Sequence, residues 1–317
     1  MKARISDIST YLPERVLDSA EVERRIEGWR PPRGIVERMT GIRRRHVASD
    51  DQQASDLAVE AAKTLAPDVD LMIFASASQD MVEPATAHIV AAKLGLSCPV
   101  FDVKNACNSL LNGVQVAEAL ILSGAHRRVL VCTGETPSRA IRWRVRDRAQ
   151  FVDSFAGYTL SDAGAAVIIE RAERGIFYRD FSADSTAWSI GTLPGGGSAH
   201  PRDPDSSYFR GDGRRLKEAF ELIGPDIFLN ALKRTGLTWD DFAVVAVHQV
   251  AMPYLHFLAD TLGIPQDRLV VTLPDHGNCA SATLPLQLAR GTWSRGDKVA
   301  LLGLGGGISM GVMLAEM

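Results

Sequence analysis

Short, uninterrupted apolar runs alternate with longer stretches of helical period along this chain. Asp70-Leu-Met-Ile-Phe-Ala75, Val129-Leu-Val-Cys132, Ala243-Val-Val-Ala-Val-His248 and Val299-Ala-Leu-Leu302 are the clearest runs, and Val100-Phe101-Asp102-Val103 is a strand-like stretch broken by one acid. The continuity of 70–75 and 243–248 predicts strands buried on both faces, as in parallel sheets. After Val103 and a short turn, Leu110, Leu111, Val114, Val116, Ala117, Leu120 and Ile121 recur at helical spacing. The spacing predicts a buried helix opening at Cys107. Strand and helix alternate in this way throughout, which predicts an α/β fold.

The pattern repeats. The strands at 70–75 and 243–248 lie about 172 residues apart, too long a period for a solenoid. Each is followed by a helical stretch with the same stop, Lys93-Leu-Gly-Leu96 and Thr261-Leu-Gly-Ile264. A second strand is expected after each, at 100–103 and 269–273, and then a turn and a helix. Those helices end in Ser123-Gly124 and Ser294-Arg-Gly296, and the strands at 129–132 and 299–302 follow. The chain therefore reads as two duplicated halves, 1–170 and 171–317. The repeat sets Cys107 opposite Asn278-Cys279, and the strand end at Ser76 opposite His248.

Composition narrows the class. The chain has 317 residues, of which 46% are hydrophobic and 23% charged, an ordinary globular balance with ample core. A net charge of −3 argues against nucleic acid as a partner. No run approaches the roughly 18 apolar residues of a membrane helix, and the N-terminal residues lack the apolar centre of a signal peptide. The cysteines at 98, 107, 132 and 279 show no metal spacing and suit a reducing cytosol. No metal or cofactor is expected.

Three stretches carry candidate chemistry: Asn105-Ala106-Cys107, His248-Gln249, and His276-Gly277-Asn278-Cys279-Ala280-Ser281-Ala282. A helix N-terminus favours negative charge, so a thiol at Cys107 is expected to have a lowered pKa and to be partly thiolate near neutral pH. A thiolate is the nucleophile of acyl transfer, and Cys, His and Asn from distant segments form such sites. Gly303-Leu-Gly-Gly-Gly307 follows the last apolar strand, where exposed backbone N–H groups suit an oxyanion.

Taken together, these pieces resemble the thiolase-fold condensing enzymes, near the β-ketoacyl-acyl-carrier-protein synthase III branch. Met39-Thr-Gly-Ile-Arg-Arg-Arg-His46 is similar to that family's Arg-Thr-Gly-Ile-Arg-Glu-Arg-His element. Asp102–Gly113 resembles its nucleophile segment, and Ser161-Asp-Ala-Gly-Ala-Ala166 its small-residue turn. His248-Gln249, His276–Ala282 and Gly305-Gly-Gly-Ile-Ser-Met-Gly311 resemble its remaining motifs in order. The resemblance implies a duplicated thiolase-like fold in five layers, αβαβα, and a homodimer. It implies Cys107 as the acylated residue, with His248 and Asn278 binding the carbonyl oxygen of a second thioester. The N–H groups of Cys107 and Gly307 would hold the first oxyanion. Substrates would be thioesters of coenzyme A or of an acyl carrier protein.

Residues 79–87, Gln-Asp-Met-Val-Glu-Pro-Ala-Thr-Ala, depart from the aromatic loop of the usual synthase III enzymes. They resemble the enzymes that join two acyl chains, in olefin and pyrone formation. That likeness implies Glu83 as a base reaching across the dimer to deprotonate an acyl α-carbon. Malonyl substrates need no such base. The tryptophan that stacks on coenzyme A in synthase III enzymes is absent near Met39; Trp29 and Pro31-Pro32 are close by. This favours a carrier protein as partner. Arg142, Arg144, Arg146 and Arg148 alternate around Trp143, and with Arg43-Arg44-Arg45 offer cationic docking candidates, although charge runs usually face solvent. Cys98, Cys132 and Cys279 are expected to be packing residues, and His276 a bystander. Alternatives to condensation are an acyltransferase acting on an alcohol or amine, and a non-catalytic partner subunit. The second would ordinarily lack the cysteine. Strand 129–132 and segment 79–90 are expected near a dimer interface.

Overall fold

A computed structural model describes residues 1–65 and 68–317. Here β1–β9 denote the strands of the two main sheets and α1–α6 the helices packed on them. The first sheet holds β1 (Lys2–Tyr11), β2 (Leu71–Ala75), β3 (Val100–Val103), β4 (Arg128–Glu135) and β5 (Ala163–Ala172), in the order β1-β5-β4-β2-β3. The second holds β6 (Ile176–Ala183), β7 (Phe242–Val247), β8 (Lys298–Gly305) and β9 (Ser309–Glu316), in the order β6-β9-β8-β7. Strands β3, β2 and β4 run parallel, as do β7 and β8. The outer strands of each set pair antiparallel.

Period-two alternation sorts each strand between two cores. Leu71, Ile73 and Ala75 face a central layer with Val129 and Val131, while Met72 and Phe74 face outward with Leu130 and Cys132. The central layer is α3 (Ser109–Leu122) and α6 (Thr283–Arg290), buried between both sheets with Val244, Ala246, Val299 and Leu301 from the second. Helices α1 (Ala54–Ala62) and α2 (Thr86–Leu94) cover the outside of the first sheet. Helices α4 (Asp226–Thr235) and α5 (Met252–Leu262) cover the outside of the second. The order of layers is α, β, α, β, α. The matched stops appear as matched left-handed caps, with Gly95 ending α2 at φ 69° and Gly263 ending α5 at φ 67°.

One expectation needs correction. Residues 269–273 do not form a strand; only Leu269 makes a single parallel bridge to Val245. The side chain of Gln249 takes the backbone groups a strand would have paired. Its Oε1 accepts from the N–H groups of Thr272 and Leu273, each at 3.0 Å, and its Nε2 donates to Val270 O at 2.6 Å. Pro274 then starts a short helix, Leu273–His276, where its missing N–H costs nothing. Strand β4, expected near a dimer interface, lies inside its sheet between β2 and β5, and the edge strands of that sheet are β1 and β3.

Candidate active site

The carboxyl ends of the parallel strands point the same way, and ligands of open α/β sheets bind outside such ends. Ser76, Lys104, Glu135, His248 and Gly306 each follow or close one of them. Cys107 lies between β3 and α3. It stands two residues before the first helical residue, with Asn108 at the cap position, rather than within the helix. The turn is tight. Ala106 has φ 46°, a left-handed conformation that costs a non-glycine residue about 1–2 kcal/mol. Ser109 secures it, its Oγ accepting from Asn105 N–H at 2.8 Å and donating to Ala106 O at 2.7 Å. The second half repeats the strain at Ala280, φ 47°, between Asn278 and α6. Such strain clusters at functional sites.

The expected lowering of the Cys107 pKa is not found. Burial pushes the thiol up to about 12, and the Glu135 carboxylate adds to the push. The N–H groups of Cys107 itself and of Gly306 pull the other way and lose. The sulfur is thus a thiol at neutral pH. Cys107 still keeps partial exposure, unlike the enclosed Cys132 and Cys279. The N–H that reaches the resting sulfur is that of Gly306; Gly307, the expected second oxyanion donor, follows it at φ 78°.

His248 is 4% exposed, and neither of its ring nitrogens has a partner among the described residues. Its backbone N–H donates to Leu302 O at 2.9 Å, which fixes it to β8. Burial lowers its pKa to about 4, so the imidazole is neutral and offers an uncharged N–H. Asn278 is buried in a turn sewn to residues 159–161: its N–H donates to Thr159 O, and its C=O accepts from Ser161 N–H, each at 2.9 Å. Its Oδ1 accepts from Ala280 N–H at 3.1 Å, which leaves Nδ2 as the free donor end. Two neutral donors in a desolvated site suit an oxygen that gains charge.

Two buried residues escaped the sequence reading. Asn108, fully buried, donates from Nδ2 to Ser309 O at 3.1 Å and to Ser309 Oγ at 2.9 Å. It ties the nucleophile turn to the hairpin that carries Gly306. Glu135, also fully buried, accepts hydrogen bonds from Ala77, Ser78 and Ser281. A polar residue beside the nucleophile and an acid closing an apolar strand were the only signals available.

The remaining candidates are dispersed. Glu83 is exposed, on a segment whose apolar neighbours Met81 and Val82 are 50% and 70% exposed. The base of that segment is anchored: Asp102 caps α2 by accepting from Thr86 and Ala87 N–H at 2.9 and 2.8 Å. Arg43 and Arg44 are exposed, but both pair with Asp275, at 2.8 and 2.9 Å, three residues before Asn278. Arg45 is wholly buried and donates to Ser19 Oγ. Arg142 is buried, stacks on Tyr208 at 4.2 Å and donates to Asp205 O at 3.0 Å; it is a strut and not a docking residue. Arg144 and Arg146 are exposed, and Trp143 is half-buried in a cluster with Trp29 and Phe151. His276 stacks on His46 and bonds to it at 3.1 Å. Among the described residues no helix is long and apolar enough to cross a membrane, and no group of acidic, His and Cys side chains is placed to hold a metal.

Comparison with known proteins agrees with this geometry. Residues 101–185 match the 3-oxoacyl-acyl-carrier-protein synthase III family, and residues 232–317 match the family of its C-terminal part. The β-ketoacyl-acyl-carrier-protein synthase III of Dinoroseobacter shibae is 33% identical, over 98% of this chain and 97% of its own. That of Neisseria gonorrhoeae is 32% identical over 99% of each. The structure of the Aquifex aeolicus 3-oxoacyl-acyl-carrier-protein synthase III superposes with a TM-score of 0.85 at 26% identity, covering 99% of this chain and all of that one. A structure of Xanthomonas campestris OleA, with bound lauric acid and lauroyl-CoA, gives a TM-score of 0.89 at 24% identity, covering 100% and 99%; this is a likeness of fold. The chain belongs to the β-ketoacyl-acyl-carrier-protein synthase III family, and it is a ketosynthase of the thiolase fold.

Proposed function

We propose that this ketosynthase is acylated on Cys107 and joins that acyl group to a second, non-malonyl thioester, working as a homodimer. Its substrates are acyl thioesters of an acyl carrier protein or of coenzyme A, in the cytosol. The observation that carries the reading is His248, a buried neutral imidazole without a partner among the described residues, together with the free donor end of Asn278. An acyltransferase acting on an alcohol or amine has no enolate to stabilise and needs no second pair of donors.

The Cys107 sulfur attacks the first thioester, and the carbonyl oxygen takes negative charge at the N–H groups of Cys107 and the 306–307 turn. The departing thiolate leaves with the thiol proton. Glu83 of the partner subunit removes an α-proton from the second thioester. The enolate oxygen accepts from His248 and Asn278, and its carbon attacks the acyl-Cys107 carbonyl. A β-ketoacyl thioester leaves, and Cys107 is restored. The free β3 edge and the exposed apolar tip at Met81 and Val82 support a dimer that buries both.

The test is intact-mass measurement after incubation with a panel of acyl donors, followed by addition of a second thioester. Glu83→Gln is expected to acylate normally and to fail with two non-malonyl thioesters. Condensation by this variant at the wild-type rate, or acceptance by wild type of malonyl thioesters alone, removes Glu83 as the base. Ester or amide products in place of β-ketoacyl products overturn the condensing reading.

A further inference from the structure

Glu135 closes β4 with no exposure at all. No Lys, Arg or His pairs with it among the described residues, so hydrogen-bond donors alone satisfy it. Oε1 accepts from Ala77 N–H at 2.9 Å and from the Ser281 hydroxyl; Oε2 accepts from Ser78 N–H at 3.2 Å and from Ser78 Oγ at 3.0 Å. Thr133 Oγ1 adds a longer contact at 3.3 Å. The donors come from both halves of the duplicated chain. Residues 76–78 lead into the segment carrying Glu83, and Ser281 belongs to the turn carrying Asn278.

Two oxygens with about four lone-pair sites and no hydrogen of their own match this array of donors. A glutamine of the same shape would turn an NH2 against an N–H or O–H group. Burying a carboxylate without a cation is costly, and burial holds its pKa above the ordinary carboxylate range. Its charge is felt at Cys107, where it opposes ionisation of the thiol.

We propose that Glu135 is a positioning residue, whose buried carboxylate clamps the root of the Glu83 segment to the Asn278 turn and so sets the second-thioester donors and the partner-reaching segment together. The proposal rests on the condensing reading given above.

Two variants separate charge from reach. Glu135→Gln keeps the reach and removes the charge. Condensation relative to acylation is expected to fall by up to about 10², the cost of a small misplacement in an active site. Glu135→Asp keeps the charge and shortens the reach; condensation should stay low there too. Ser78→Ala removes one donor and leaves the carboxylate, so the same ratio should fall by less. A wild-type ratio of condensation to acylation in all three variants overturns the clamp. Should Glu135→Gln fail to fold, an unchanged ratio in Ser78→Ala overturns the clamp by itself. The ratio is measured with malonyl and non-malonyl second substrates. If wild type condenses malonyl thioesters alone, the base role of Glu83 falls, while the malonyl ratio still decides the role of Glu135.

Discussion

At Cys107 two electrostatic effects oppose each other. The helix behind it and two backbone N–H groups favour a thiolate, while burial and Glu135 favour the thiol. Burial wins because Cys107 is largely shielded from water and the helix begins only at Ser109. With the thiol near 12, the thiolate fraction climbs about tenfold per pH unit throughout the neutral range. Iodoacetamide alkylation of Cys107 should therefore rise from pH 7 to pH 9 without a plateau; a plateau below pH 8 would mean a thiolate at rest. Acylation differs, because it also draws on backbone donors that stabilise the oxyanion forming on the substrate. Asn108 fixes those donors through Ser309, so Asn108→Ala should cut the acylation rate by about 10-fold to 10²-fold while leaving alkylation close to wild type. Loss of both rates together would indicate a misfolded turn. His248→Ala and Asn278→Ala should still take up an acyl group, and should then stall with product formation down about 10²–10³-fold. If both variants remain folded and neither acylates, the second oxyanion pair is misassigned.

Close approach of elements sets the frame that holds these residues. Helix α1 is alanine-rich and lies directly on two strand glycines. A Cβ at Gly164 would sit 2.0 Å from Leu57 O, and one at Gly134 would sit 1.7 Å from Ala54 O. These contacts are with helix backbone, which cannot give way as a flexible side chain would. Gly164→Ala should therefore cost at least about 1–3 kcal/mol, seen as a lower melting temperature, even though it adds only one carbon. A melting temperature equal to wild type would show that α1 can lift from the sheet. The same contrast explains what was legible in the sequence. Apolar runs such as 71–75 and the glycine stops at 95 and 263 are local signals, and the strands and caps lie where those signals fall. Cys107, His248 and Asn278 stood out because each follows a recognisable strand or turn. Residues 269–273 misled because their apolar pattern is strand-like, while the side chain of Gln249 takes the backbone pairing a strand needs. The pKa of Cys107 and the burial of Glu135 and Arg142 were hidden for one reason: each is fixed by segments far apart in the chain, from residue 77 to 281 for Glu135 and from 142 to 205 for Arg142.

The first sheet ends at β1 on one side and at β3 on the other. Strand β3 pairs with β2 alone, and its Val100, Phe101 and Val103 are half-buried. An open apolar edge is a template for a second copy, and a two-fold axis beside β3 would continue the sheet across both subunits. The same strand supplies Asp102, which caps α2 and anchors the base of the Glu83 segment. Burying the edge would thus carry Glu83 toward the other subunit, and each active site would combine Cys107 of one protomer with Glu83 of its partner. That arrangement can be tested by complementation. Cys107→Ala and Glu83→Gln homodimers should each be inactive on two non-malonyl thioesters. After dissociation and random re-mixing, half of the dimers are mixed, and each contains one site with an intact cysteine and an intact cross-subunit glutamate. About a quarter of the wild-type rate should return. Mixing wild type with the double variant gives mixed dimers in which the intact cysteine faces glutamine and the intact glutamate faces alanine, so those dimers should contribute nothing. The wild-type dimers left in the second mixture should alone supply about a quarter of the wild-type rate; about half the wild-type rate there, with none in the first mixture, would place Glu83 in the same subunit as the cysteine it serves. A monomer by sedimentation at micromolar concentration, with full activity, would remove the cross-subunit site altogether.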